Sequence, residues 1–160
     1  MRAIGLLPVV AAGVVPLVIV LTSDSLNPGW GVPALTIVGG ALLAGIGLTL
    51  MWATIRLFAR RGEGTLAPWD PPRKLVVEGP YRHVRNPMIS GVWFLLAGEG
   101  MLTGSVGIAL WLAVFATANV IYMPLSEEPG LERRFGEEYR AYKRAVPAWI
   151  PRTTPWRPGS

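Results

Sequence analysis

The sequence predicts an all-α integral membrane protein, with four transmembrane helices plus a C-terminal cytoplasmic interfacial helix. Three observations carry that prediction. The chain of 160 residues is 51% hydrophobic and only 16% charged, where soluble domains average about 25% charged residues. Residues 3–21, 26–55 and 100–126 hold no charged side chain, and about 20 apolar residues suffice to cross a bilayer's hydrocarbon core. Apart from Arg2, arginine and lysine all fall in two stretches, 56–85 and 133–157.

Residues 1–160 read as one membrane domain: 1–58 as two N-terminal transmembrane helices, 59–87 as a cytoplasmic loop, 88–123 as a transmembrane hairpin and 124–160 as a cytoplasmic tail helix. The first apolar run follows Arg2 and contains Ala11-Ala12-Gly13, as a signal peptide would. It is too long and lacks a convincing cleavage site, so it is expected to remain as a helix. In the second, Gly39, Gly40, Ala41, Ala44 and Gly45 read as a close-packing surface rather than a nucleotide loop. The third, residues 89–102, is interrupted only by Glu99 and joins the fourth through one Gly-containing turn. Glu99 lies thirteen residues beyond Asn86, about 20 Å at the helical rise, and is expected to snorkel at the outer interface.

Arg56 at the end of the second helix and Arg60, Arg61, Arg73, Lys74, Arg82 and Arg85 in the central loop form one group; Arg133, Arg134, Arg140, Lys143, Arg144, Arg152 and Arg157 follow the fourth helix. The positive-inside rule then puts the loop, the tail and both termini in the cytoplasm of a multi-pass protein, at the inner membrane if the cell is bacterial. Anionic lipid headgroups are the natural partners of this basic face. The net charge of +5 thus reports topology, and no nucleic-acid partner is expected. The absence of cysteine excludes disulfides and thiol catalysis, and no metal site is expected.

"VEGPYRHVRNPMISG", residues 77–91, concentrates polar chemistry at the mouth of an apolar helix. Asn86 suits an N-cap and Pro87 the first helical position, so a helix is expected to begin there with its positive end at the cytoplasmic boundary. That end, with Arg85 and His83, suits an anionic group; a basic cap on lipid phosphate is the plainer alternative. Beyond the hairpin, Pro124 and Pro129 are expected to break the fourth span. Leu131, Phe135, Tyr139, Tyr142 and Val146 then form an apolar stripe at helical spacing that is expected to face the bilayer, with Trp149 and Trp156 as interfacial belt residues. Glu127 and Glu128 fall near Asn86, Arg85 and His83 across the hairpin. Together these groups would hold a zwitterion, the ammonium on the acidic pair and the carboxylate on arginine or the helix N-terminus.

"LVVEGPYRHVRNPM", followed one hairpin later by "EEPGLERRFGEEYRAYKRAVPAWIP", resembles the isoprenylcysteine carboxyl methyltransferase and phospholipid methyltransferase superfamily of integral membrane enzymes. The resemblance covers residues 73–152, and its specificity lies in the two motifs in this order. It implies S-adenosylmethionine as cofactor, held by Arg73, Lys74, Leu75, Val76, Tyr81, Asn86, Pro87, Met88, Ile89 and Glu127, with the methionine portion as the zwitterion. The physical reading adds His83, Arg85 and Glu128 as catalytic candidates, His83 being the only histidine available to take a proton from an amine. Many relatives carry His at the position of Asn86 and Tyr at that of Ile89. Eukaryotic prenylcysteine enzymes carry an arginine where this chain has Met123-Pro124, so the acceptor stays open among carboxylate, amine and thiol. A lipophilic or amphiphilic molecule entering from the cytoplasmic leaflet is expected, with Trp93, Phe94, Trp111 and Phe115 as walls for its tail. The alternatives are a related membrane reductase using a nicotinamide cofactor and a non-enzymatic lipid-binding membrane protein.

Overall fold

The computed structural model describes residues 10–22, 33–61 and 75–157, and among these it contains helices and turns but no strand. Helix α1 (Val10–Thr22) opens as a π-helical turn. α2 (Ala34–Arg61) follows with 28 residues, about 42 Å at 1.5 Å per residue. A 3₁₀ turn (Gly79–Arg82) then leads into α3 (Pro87–Thr103), α4 (Val106–Tyr122) and α5 (Glu128–Ala145).

Two helices are long and apolar enough to cross a membrane, Ala34–Arg60 and the continuous run Val106–Ala145, with mean hydropathies of 2.0 and 1.9 in their best windows. Only 17% and 6% of those windows are buried inside the protein. Residues this apolar and this exposed call for a hydrocarbon surrounding. α1 and α3 are shorter, at 13 described residues and 17.

Local sequence explains the hairpin. α3 begins at Pro87, whose fixed φ suits a first helical turn and whose missing N–H would have had no intrahelical partner. It ends at Gly104, in the left-handed conformation at φ 64°. Ser105 then caps α4, its hydroxyl accepting from Ile108 N at 3.3 Å.

α2 and α3 meet backbone to backbone. A Cβ at Gly47 would stand 2.6 Å from Gly91 O and Leu95 N, and one at Gly98 would stand 2.6 Å from Ala44 N and Gly40 O. The predicted small-residue surface is therefore real at Gly40 and Ala44. Gly45 looks onto open space, and the tightest approach on α2 is at Gly47. Against this pair packs a core of Ala11, Ala12, Val92, Leu96 and Ile108, and Trp111 Nε1 donates to Ala11 O at 2.8 Å.

The expected break at Pro124 and Pro129 is absent. Over Met123–Glu127 the helix widens to a π turn, in which Glu128 N reaches back to Met123 O, and the chain runs on into α5. The π turn includes Pro124 and ends two residues before Pro129, which falls in the first turn of α5. The sharp change of direction comes instead at Gly136, whose φ of 55° and ψ of −128° are non-helical.

Candidate functional site

The polypeptide before α3 is clamped by the polypeptide after α5. Arg85 N donates to Pro147 O at 2.9 Å, Asn86 N to Ala148 O at 3.3 Å, Arg152 N to His83 O at 3.0 Å and Trp156 N to Arg82 O at 2.9 Å. Side chains reinforce this seam. Arg82 Nε donates to Trp156 O at 2.8 Å, the His83 Nδ1–H to Arg152 O at 2.8 Å, and Tyr142 Oη to Tyr81 O at 2.7 Å. Backbone groups in an irregular segment need partners, and here two irregular segments supply each other.

The seam closes over the apolar stripe predicted on α5. Tyr139, Tyr142 and Val146 are buried together, with Leu75, Val77, Leu131, Phe135 and Trp156 packed against them. The stripe therefore faces the protein's own loop rather than the bilayer, because Leu75 and Val77 offer the matching apolar surface. Trp149 and Trp156 are likewise drawn inward: Trp149 stacks on Trp93 at 4.5 Å and Trp156 lies 5.6 Å from Tyr142. Burial raises the hydroxyls of Tyr81 and Tyr142, and burial followed by the nearby Glu128 carboxylate raises that of Tyr139. All three stay neutral at physiological pH, which keeps the Tyr142 donor in place.

Beneath the seam lies a buried ion pair. Arg85 Nη1 meets Glu128 Oε1 at 2.5 Å, and Lys143 Nζ meets Glu128 Oε2 at 2.9 Å and Glu132 Oε1 at 2.8 Å. Glu128 is only 6% exposed, so the charge depends on these partners. The Arg85 Nε–H is buried with no acceptor. Hydrogen bonding to Lys143 lowers Glu132, and the same link raises Lys143.

Of the predicted site residues, the fold brings Arg85 and Glu128 into direct contact and sets Asn86 beside the tail. Asn86 is not the side-chain cap expected of it: its Nδ2 donates to Ala148 O at 3.3 Å, while its own carbonyl starts α3 by accepting from Ser90 N. Glu127 and Glu128 do not act as a pair, for Glu127 is exposed on the π turn. The helix phase separates them, Glu128 lying three residues before Leu131 on the stripe. Leu75, Val76, Tyr81, His83 and Ile89 are half-buried, Pro87 and Met88 buried. Arg73 and Lys74 lie outside the described residues. Among the described residues no group of three His, Cys, Asp or Glu is placed to hold a metal.

One helical turn beyond Asn86, a groove of about 350 Å³ opens between α3 and α4. Trp93 and Phe94 line it, as predicted for a tail-binding wall, but Trp111 and Phe115 do not. Those two turn to the core against α1, and Leu112 and Ala116 take their places. Sequence reasoning missed Lys143, Ser90 and Trp149. Lys143 carried a readable signal, since it lies one helical turn after Tyr139 and so on the same face.

A family model described as phospholipid methyltransferase matches residues 35–138 of the chain. No curated protein matches it.

Proposed function

The chain belongs to the phospholipid methyltransferase family, a methyltransferase family, and on that premise we propose a membrane-embedded enzyme that moves a methyl group from S-adenosylmethionine to a lipophilic or amphiphilic acceptor. The observation that supports it best is the buried Arg85–Glu128 pair at the foot of α3. The orphaned Arg85 Nε–H fits a carboxylate, and Glu128 fits an ammonium in exchange for Lys143. These are the two ends of an amino acid, so the residues present suit the cofactor's methionine portion. Tyr81, Pro87, Met88 and Ile89 would surround the remainder, with Glu127, Leu75 and Val76 at its edge.

Bound there, S-adenosylmethionine supplies an electrophilic methyl group. The chain's own part is to position the acceptor and exclude water. Tyr142 and Trp156, sealed under the seam, close the aqueous side. His83 donates through Nδ1 to Arg152, so its Nε2 is the ring nitrogen left to accept a proton from an amine acceptor. The acceptor reaches the site sideways through the groove, from the cytoplasmic leaflet.

The same reading gives four spans with both termini and the site in the cytoplasm. Exposed Arg133 and Arg134 meet anionic headgroups there. Single cysteines at Ser25, Gly62 and Ser160 test this, since the chain has no native cysteine; labelling of position 62 from outside intact cells would overturn the topology.

The deciding experiment is calorimetry of detergent-purified protein with S-adenosylmethionine and its demethylated product, beside a methyl-label transfer assay into a total lipid extract. Binding of both, weakened in Arg85→Leu and Glu128→Gln, is expected. Binding of a nicotinamide dinucleotide instead would favour a reductase, and unchanged affinity in both variants would move the site elsewhere.

A further inference from the structure

Lys143 stands where the transferase reading puts the cofactor's ammonium. Its Nζ lies 2.9 Å from Glu128 Oε2 and 2.8 Å from Glu132 Oε1, while Arg85 holds the other Glu128 oxygen. The side chains of Arg85 and Glu128 are 12% and 8% exposed, those of Lys143 and Glu132 37% and 30%. Water therefore meets this cluster on the Lys143–Glu132 side, and what covers Glu128 Oε2 there is the end of one flexible four-carbon side chain.

An unbroken helix would not make this contact. Glu132 and Lys143 are 11 positions apart, about 16 Å along a regular axis. Between them the non-helical backbone of Gly136, at φ 55° and ψ −128°, turns the second half of α5 so that Lys143 reaches both carboxylates of the first half. A Cβ at Gly136 would meet nothing within 4 Å, so glycine serves the turn there and not the packing.

Charge decides where Lys143 goes when an ammonium arrives. Arg85 and Lys143 face Glu128 and Glu132 in balance. A zwitterion adds no net charge, but its ammonium on Glu128 Oε2 would stand against that of Lys143 and repel it. Glu132 already holds Lys143 by a second bond, so the lysine can give up Glu128 while each carboxylate keeps a cation. We propose that Lys143 gates the cofactor site and that Glu132 receives it: Lys143 occupies Glu128 until the ammonium of S-adenosylmethionine or its demethylated product takes its place, and then stays on Glu132 alone. This gate rests on the transferase reading and adds Glu132 to it as a positioning residue, which sets cofactor affinity through Lys143. A ligand without an ammonium cannot replace Lys143, so the gate also selects for the amino-acid end of the cofactor.

Calorimetric titration of the detergent-purified full chain tests the exchange, using S-adenosylmethionine beside 5′-methylthioadenosine, which keeps the nucleoside and sulfur but has no amino-acid portion. Lys143→Met removes the competitor and should tighten S-adenosylmethionine binding about two- to fivefold, the range of one partly exposed ion pair, while leaving methylthioadenosine unchanged. Glu132→Gln confines Lys143 to Glu128 and should weaken S-adenosylmethionine binding by a similar factor. In the double variant the Glu132 effect should vanish. Weaker binding in a folded Lys143→Met, equal tightening of both ligands, or a Glu132 effect that persists without Lys143 would overturn the gate. Should Lys143→Met fail to fold, Glu132→Gln decides alone, and unchanged affinity there sinks the proposal. S-adenosylmethionine binding that ignores both residues removes the gate and leaves the transferase; no binding by the unaltered protein or by Lys143→Met removes both.

Discussion

The α2–α3 contact and the seam between residues 79–86 and 146–156 hold the same helix, at its flank and at its foot, by opposite means. At the flank, Gly47, Gly91 and Gly98 remove side chains so that backbones touch. At the foot, hydrogen bonds and a buried ion pair join segments far apart in the chain. On the proposed topology, the difference follows the solvent. Between helices in hydrocarbon there is no hydrophobic drive to associate, so closeness of approach supplies dispersion energy. At the rim the backbone is irregular, and its polar groups have to find partners.

The foot should break hardest. Glu128→Ala strands Arg85 and Lys143 beside a buried void and is expected to destabilise by about 3–5 kcal/mol, read as a lower midpoint in denaturant titration of detergent-purified protein. At the flank, Gly98→Val drives a side chain into Ala44 N and Gly40 O and should cost about 1–3 kcal/mol. A larger loss from the glycine than from the glutamate would invert the comparison. Tyr142→Phe removes one donor from the seam and should cost about 1 kcal/mol, with faster hydrogen exchange around Tyr81 and no change at the flank.

Acid and alkali probe the foot. Glu132 is held below the usual carboxylate range by Lys143, so that link contributes fully above the unfolded value of about 4.3 and is lost as pH falls through the lower folded one. Lys143 is raised, so its contribution is complete below about 10.4 and is lost as pH climbs past its folded value. Melting temperature should fall at both extremes, and Glu132→Gln should remove the acid limb while sparing the alkaline one; an acid limb that survives Glu132→Gln would show that another group governs it. The smallest effect is expected at exposed Glu137, which pairs with Arg140 and Arg144: Glu137→Gln should leave the melting temperature unchanged.

These two regions were unequally legible. The start of α3 at Pro87, its glycine exit and the stripe on α5 are written locally, within one or two helical turns, and were read correctly. Gly47 was missed although Gly40 and Ala44 were seen, because only the rotational phase of the helix tells which small residues face a neighbour. The seam left no trace in the sequence: it is made chiefly by backbone groups, which every residue carries. Its partners stand 60 residues and more apart. The same blindness turned the stripe toward lipid, since nothing periodic in Leu75 and Val77 announces that they cover it. At the acidic pair the stripe itself held the answer, as its phase puts Glu128 inward and Glu127 out.

The separation of the seam's partners also orders events in time. Arg82 and Trp156 are 74 positions apart, and joining distant points of a flexible chain carries an entropic penalty that grows with the loop between them. The α3–α4 hairpin, closed by Gly104 and Ser105, needs only local contacts and shortens that path once formed. Refolding should therefore complete the hairpin before the rim, which makes the rim the last part of the molecule to mature, and a substitution that slows the Gly104 turn should delay its appearance without altering the finished state.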